Sequence, residues 1–323
     1  MLSPPVPAVP PYVRSVLAPG AVAALVSEHY GLEVRECELL RSLVNDVYAV
    51  DTFTGRYAFK LYRQEHAPRS RSWAEVGWEQ ELAHALLDAG LSVPVPVELV
   101  DGTAVGRHAA PEGPRPFALT GWVEGSKPVP PFGDELYRTF GALTARFHTA
   151  ASSWEHAHDR AAPDQVEDLL PTAAAVADRL GPTDAALVRE QADRAAAHLS
   201  RLTGPGLTWG VRHGDVTLDN VLIVSGGLVL HDFDRAGAGE LGADLTGVRA
   251  TEQWPAFLDG YQQHRRLTAA DLESIAPLHV VALIANLRFH LVDKAALFGT
   301  ETRGDGWVER ELGSLRDLTE RSG

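Results

Sequence analysis

The chain predicts an α+β protein, strand-rich with one main helix up to about residue 123 and mostly helical from there on. Three observations carry this. Apolar residues alternate with a strand period from Glu33 to Tyr62, and strand-like runs return at Val95 to Val100 and Phe117 to Val123. From Asp134 onward apolar residues recur at helical spacing through most of the remaining chain. One strand-forming island, Leu207 to Asp232, interrupts the helices and carries His213, Gly214, Asp215, Asn220 and Asp232, with Asp234 just beyond it.

The composition sets the bounds. With 323 residues, 45% hydrophobic and 22% charged, the chain can build two lobes or one large domain of an ordinary globular enzyme. Cys37 is the single cysteine, so no disulfide framework or zinc cluster is expected, and a reducing cytoplasm fits. The first twenty residues lack a signal-peptide pattern, and no apolar run is expected to span a membrane, which takes about 18 residues. A net charge of −14 argues against nucleic-acid binding, which calls for a basic face, and permits a cationic small molecule. Nothing decides between a monomer and a homodimer.

The elements follow in order. Met1 to Pro11 holds five prolines in eleven residues and predicts a mobile tail, with extended docking as the alternative. Ala21 to Tyr30 predicts a short helix ended by Gly31. Val34 to Leu40, Asp46 to Phe53 and Tyr57 to Tyr62 predict three strands, the last two joined at Thr54-Gly55, and Ser72 to Ala89 predicts the main helix. Val95 to Val100 and Phe117 to Val123 predict a fourth and a fifth strand, the latter after a turn at Pro111 to Pro114. Helices are predicted at Asp134 to Ala150, Gln165 to Leu180, Thr183 to Leu202, Trp254 to Arg265, Ala269 to Phe298 and Trp307 to Arg321, with Pro277 starting or kinking one of them.

In the island, Leu207 to Arg212 predicts a short strand. Val221 to Val224 and Leu228 to Asp232 predict a hairpin turning at Ser225-Gly226-Gly227. That hairpin would set Asp215, Asn220 and Asp232 around one small volume. Phosphoryl transfer from a magnesium nucleotide needs such a set: a carboxylate for the acceptor hydroxyl and hard oxygen ligands to hold Mg2+ against the phosphates.

The array His213-Gly214-Asp215, Asn220 five positions later and Asp232-Phe233-Asp234 on the next hairpin resembles the aminoglycoside phosphotransferase family. This is a kinase-like superfamily with choline kinase-like, type II homoserine kinase-like and stress-response kinase-like branches. Protein kinases carry Arg where Gly214 stands and Gly where Asp234 stands. The resemblance implies a bilobal protein-kinase-like fold, with a Pro-rich tail over 1–18, a nucleotide-binding lobe over 19–123 and a catalytic and substrate-binding lobe over 124–323.

It also implies roles. Asp215 orients the acceptor hydroxyl and takes up its proton, Asn220 and Asp232 hold Mg2+, and Asp234 acts as an outer or second-metal ligand. Lys60 grips the nucleotide phosphates through a glutamate on the next helix; Glu79 fits the family spacing to Gly90 and Val93-Pro94, with Glu75 the alternative. Ser42 and Asn45, in a turn without glycine, stand where kinases have their phosphate loop. Trp122 and Val123 stand at the hinge that receives adenine. His148 and His213 are expected to serve as structural hydrogen-bonders. Asp244 is expected to fix the catalytic loop or, equally, to cap the following helix.

The implied function is transfer of the γ-phosphate of ATP or GTP to a hydroxyl of a small molecule. An aminoglycoside is the leading acceptor, with antibiotic resistance as the setting. Glu155, Asp159, Asp164, Glu167, Asp168, Glu252, Asp259, Glu309 and Glu311 are the carboxylates that could meet its ammonium groups. The alternative is a kinase of homoserine or a choline-like metabolite, or of protein Ser/Thr as in the stress-response branch, to which Lys60-Leu61-Tyr62-Arg63 is similar.

Overall fold

The computed structural model describes residues 12–64, 70–155, 160–202 and 206–320. The proline-rich start up to Pro11, Asp159 and Arg321 lie outside them. Two compact units divide the chain, one of residues 1–84 and 94–123, the other of residues 85–93 and 124–323.

In the first unit, α1 (Pro19–Tyr30) ends where Gly31 turns left-handed at φ 67° and returns its N–H to the Ser27 carbonyl at 3.1 Å. Then come β1 (Val34–Ser42), β2 (Asp46–Thr52), β3 (Arg56–Leu61), α2 (Trp73–Asp88), β4 (Pro96–Val97), β5 (Gly106–Ala110) and β6 (Gly113–Gly121). They form one antiparallel sheet in the order β1-β2-β3-β6-β4, with β5 also on β6. Strand alternation divides the side chains. Phe59 and Leu61 join Val22, Val26 and Tyr30 of α1 in one core, while Tyr62 turns to the other face with Val76 of α2 and Ala118.

The strands differ from the sequence reading at three places. The fourth strand shrinks to Pro96–Val97, and β5 appears where none was predicted. Pro114 and Pro116 suggest a turn, yet they lie within β6 opposite Ala109 and Arg107 of the outlying β5. Gly106 pairs with Phe117, and a Cβ at Gly106 would lie 2.1 Å from that ring, so the strand needs glycine there.

Residues 14–17, counted with the tail, are fastened to the sheet instead. Asp46, fully buried, accepts from Arg115 at 2.7 Å, Arg14 at 2.5 Å and Ser42 at 2.6 Å. Arg115 also donates to the Ser15 carbonyl at 2.7 Å, and Tyr48 donates to the Leu17 carbonyl at 2.8 Å. Burial pushes the Asp46 carboxyl up, but its bonds to Ser42, Arg115 and Arg14 outweigh burial and hold it below the ordinary carboxylate value.

The second unit contains α3 (Asp134–Ser153), α4 (Leu169–Ala177), α5 (Pro182–Leu202), β7 (Trp209–Arg212), β8 (Val221–Val224), β9 (Gly227–Leu230), β10 (Gly237–Glu240), α6 (Thr246–Arg249), α7 (Trp254–Gln262), α8 (Ala269–Arg288), α9 (Lys294–Phe298) and α10 (Trp307–Glu320). Its strands make two separate pairs, β7 with β10 and β8 with β9. The core gathers α4, α5, α8 and α10 around Leu278, Val280, Val281, Leu283, Ile284 and Leu287. Each such side chain contributes roughly 1.5–3 kcal/mol on burial.

The run Ala269–Phe298 is long and apolar enough to cross a membrane by length and composition, which corrects the expectation that no such run exists. Its apolar residues supply the unit's core, which accounts for their density. It is also not one helix. A capping box between Thr268 and Asp271 starts α8, Pro277 sits inside it, and a π-helical turn at Phe289–Asp293 separates it from α9.

Candidate active site

The island builds a loop with two halves. β7 delivers Arg212 and His213 into the turn Gly214-Asp215, a short 3-10 turn carries Asn220 into β8, and β9 returns the chain to Asp232. The Asn220 side chain donates to the Asp215 carboxylate at 2.9 Å and to the Asp215 carbonyl at 3.0 Å. His231 N–H donates to the Asn220 carbonyl at 3.1 Å, which sets Asp232 beside Asn220 along the hairpin. Asp232 adopts φ 67°, a left-handed conformation that Asp tolerates better than most residues. Asp234 follows in a 3-10 turn over Phe233–Arg235.

Behind this loop lies a buried relay. The Asp244 carboxylate accepts from His213 N–H at 2.6 Å and Gly214 N–H at 2.8 Å, and meets His148 Nε2 at 3.0 Å. His148 Nδ1 in turn meets the Tyr261 hydroxyl at 2.8 Å. Burial pushes the Asp244 carboxyl up. Its hydrogen bond to His148 and the electrostatic pull of His148, His213 and Arg212 outweigh burial and leave it below the ordinary carboxylate value. Asp244 therefore ties the loop backbone and makes no side-chain cap for α6. His213 itself is fully buried and places Nε2 3.1 Å from the His231 carbonyl. Phe147, at the end of α3, stacks on Phe233 with centroids 6.0 Å apart, and Phe233 lies 5.2 Å from the His213 ring.

A divalent ion suits the donor set. Asn220 spends its amide hydrogens on Asp215, so its carbonyl oxygen is the end left for a hard cation. Among the described residues no three His, Cys, Asp or Glu side chains gather to hold a metal by themselves.

In the first unit, Lys60 Nζ on β3 lies 3.8 Å from Glu79 Oε1 on α2 and 5.0 Å from the Tyr62 ring, whose hydroxyl donates to Glu79 at 2.9 Å. Glu75 is engaged elsewhere, accepting from Ser72 at 2.9 Å and Arg71 at 2.9 Å at the start of α2, and Glu81 is exposed.

Ser42 and Asn45 both have partners within their own unit. Ser42 turns inward to the Asp46 ion cluster, and the Asn45 side-chain oxygen accepts from Arg63 N–H at 3.1 Å, so the packing of their own unit engages both side chains. Arg63 also reaches the Leu43 carbonyl at 3.3 Å and braces the turn; burial, then the charges of Arg14 and Arg115, push its guanidinium down to about 10. Trp122 and Val123 are half-buried just past β6. The Trp122 ring lies 4.2 Å under the Arg56 guanidinium, and the Trp122 backbone N–H donates to the Arg56 carbonyl at 3.0 Å.

The acidic candidates divide as well. Asp164 pairs with Arg235, Asp259 with Arg138 at 3.0 Å, and Glu311 is buried against Asn286 at 3.2 Å. Glu155, Glu167, Asp168, Glu252 and Glu309 are exposed. Sequence reasoning missed the arginines Arg160, Arg212 and Arg235, which bond to backbone around the loop; a single arginine in a loop or at a strand end carries no local signal of such a contact.

An uncharacterized protein of Deinococcus radiodurans is 35% identical over 334 residues, covering 97% of this chain and 93% of that protein. A homoserine kinase of Methylorubrum populi is 29% identical over 260 residues, 76% of each chain. The solved structure of the amicoumacin kinase hAmiN, in complex with AMP-PNP and Ca2+, superimposes with a TM-score of 0.71 at 18% identity, covering 93% of both chains. The α+β, kinase-like fold that the motifs implied is the fold of this chain. The model of the phosphotransferase enzyme family matches residues 36–278, so the chain belongs to that family and is a phosphotransferase acting on a hydroxyl group.

Proposed function

We propose that this protein transfers the γ-phosphate of ATP or GTP to the hydroxyl of a small amine-bearing molecule, with Asp215 as the group that receives the acceptor. One observation carries the reading: the Asn220 amide holds the Asp215 carboxylate at 2.9 Å while keeping its own oxygen for a cation. Asp215 orients the acceptor hydroxyl and takes its proton as the new oxygen–phosphorus bond forms and the bond to the β-phosphate oxygen breaks. Little base strength is needed, because the transition state is loose and positioning dominates.

Asn220 and Asp232 are the residues that would hold Mg2+, with Asp234 as outer or second-metal ligand; the ion would neutralise charge on the phosphate oxygens. Lys60 serves the nucleotide phosphates and Glu79 positions Lys60. Trp122 and Val123 are candidates for the adenine side by position alone. The cytoplasm, where nucleotide is abundant and Cys37 stays reduced, is the fitting compartment.

The acceptor has two readings. An aminoglycoside, with a role in antibiotic resistance, suits the charge of −14. A smaller amino alcohol of the homoserine or choline kind is favoured by the disposition of the carboxylates. Asp164 is paired and Glu311 is buried within the unit, which thins the set a polycation would need. A coupled nucleotide-consumption assay with Mg2+ and ATP or GTP, offered aminoglycosides, homoserine and choline, separates the two. In Asp215→Ala turnover should vanish while nucleotide affinity changes little; a folded variant that keeps turnover would overturn the assignment.

A further inference from the structure

The stretch 160–165, between α3 and α4, has no helix or strand of its own, yet it is bonded to both halves of the loop. Ala162 N–H donates to the Ala238 carbonyl at 3.0 Å, and Ala238 N–H donates to the Arg160 carbonyl at 2.7 Å. The Arg160 guanidinium holds the carbonyls of Phe233, at 3.2 Å, and Asp234. The Arg212 guanidinium, from β7, holds the carbonyls of Pro163 and Asp164.

At the centre stands Asp164, at φ 63°; it and Asp232 are the two non-glycine residues with positive φ among the described residues. Glycine would adopt that backbone more cheaply, so a carboxylate there calls for a reason. Its partner supplies one. The Asp164 carboxylate meets the Arg235 guanidinium, and Arg235 Nε donates to the Gly214 carbonyl at 3.0 Å. A single guanidinium thus joins the residue before Asp215 to the residue after Asp234. Both side chains are largely shielded, at 26% and 19% exposure, so water screens the pair less than a surface pair.

We propose that Asp164 and Arg235 are positioning residues for phosphoryl transfer: a permanent ion pair that keeps the 213–215 and 232–235 loops in register. It does with a built-in carboxylate what a phosphorylated side chain gripped by arginine does in switchable kinases. The inference rests on the reading of Asp215, Asn220 and Asp232 as the reacting site. It gives the enzyme a competent loop without a modification step.

The test uses the full chain with Mg2+-ATP and water as the acceptor, so no acceptor need be known. Asp164→Gly removes the carboxylate and accepts the left-handed backbone; Arg235→Gln approaches the pair from the other side. Both should lower kcat by on the order of tenfold or more, with KM for ATP and the melting temperature little changed. Sodium acetate should restore part of kcat in Asp164→Gly, by seating a carboxylate against Arg235, and none in Arg235→Gln. A wild-type kcat in both variants, with turnover abolished in Asp215→Ala, would overturn the ion-pair role and leave the site reading intact. The same holds if the variants lose kcat only in proportion to lost folding and acetate restores nothing. Turnover that survives in Asp215→Ala would instead remove the site reading on which the inference rests.

Discussion

At Gly214 an added methyl group would lie 2.2 Å from the Arg235 carbonyl oxygen, and the residue sits at φ +79°. Both facts exclude a side chain, since the obstacle is backbone and L residues avoid that conformation. Gly214→Ala should therefore cost about 2 kcal/mol or more in denaturant unfolding, and should depress turnover beyond what the unfolded fraction explains. Wild-type unfolding and turnover in that variant would mean the loop has room that this geometry denies it. The sequence displays Gly214 as the lack of a kinase arginine. What it could not display is that the backbone of Arg235, twenty-one residues on, occupies the space. Asp244 was legible in the same partial way. Its loop-fixing role follows from the family resemblance, whereas its buried partner His148 comes from α3 and the Tyr261 that meets His148 comes from α7.

Helices α8 and α10 meet over a buried carboxylate. Glu311 on α10 is 6% exposed and accepts from Asn286 of α8 at 3.2 Å, and burial raises its carboxyl above the ordinary value. A carboxyl raised in the folded state binds its proton more tightly there than in the unfolded chain. The wild-type protein therefore loses stability as pH rises above the unfolded glutamate value of about 4.3. Glu311→Gln has no such loss. Its melting temperature should exceed wild type at pH 7 to 8 and converge with it near about pH 4; an advantage that does not shrink in acid would exclude titration of Glu311 as its source. Elements of this kind were legible wherever one period ran unbroken, as in β1 to β3 and α3. They were not where tertiary pairing overrides local preference, as with β5 and the prolines of β6, or where a long apolar period hides a change of helix type at Phe289.

For the molecule as a whole, each unit keeps a buried carboxylate held below its ordinary value, Asp46 in the first and Asp244 in the second. A depressed carboxyl contributes stability that is fully present above its unfolded pKa, about 3.9 for Asp, and that is lost as pH falls through the lower folded value. In Glu311→Gln, where the opposing gain from that carboxyl is absent, thermal unfolding followed from pH 7 downward should hold nearly level to about pH 5 and then fall steeply below about pH 4. Asp46→Asn should flatten that fall; an unchanged slope would assign the acid loss to other groups. The relay from Tyr261 through His148 and Asp244 to the His213 and Gly214 backbone has a different kind of consequence, in how such a chain can change by descent. Losing His148 would leave the buried Asp244 charge short of a partner, at a cost of about 3–5 kcal/mol, against a total stability of about 5–15 kcal/mol. Single-step departures from the set therefore fall near or below the folding threshold. The three side chains Tyr261, His148 and Asp244, scattered over more than a hundred residues, would be passed on as one heritable character.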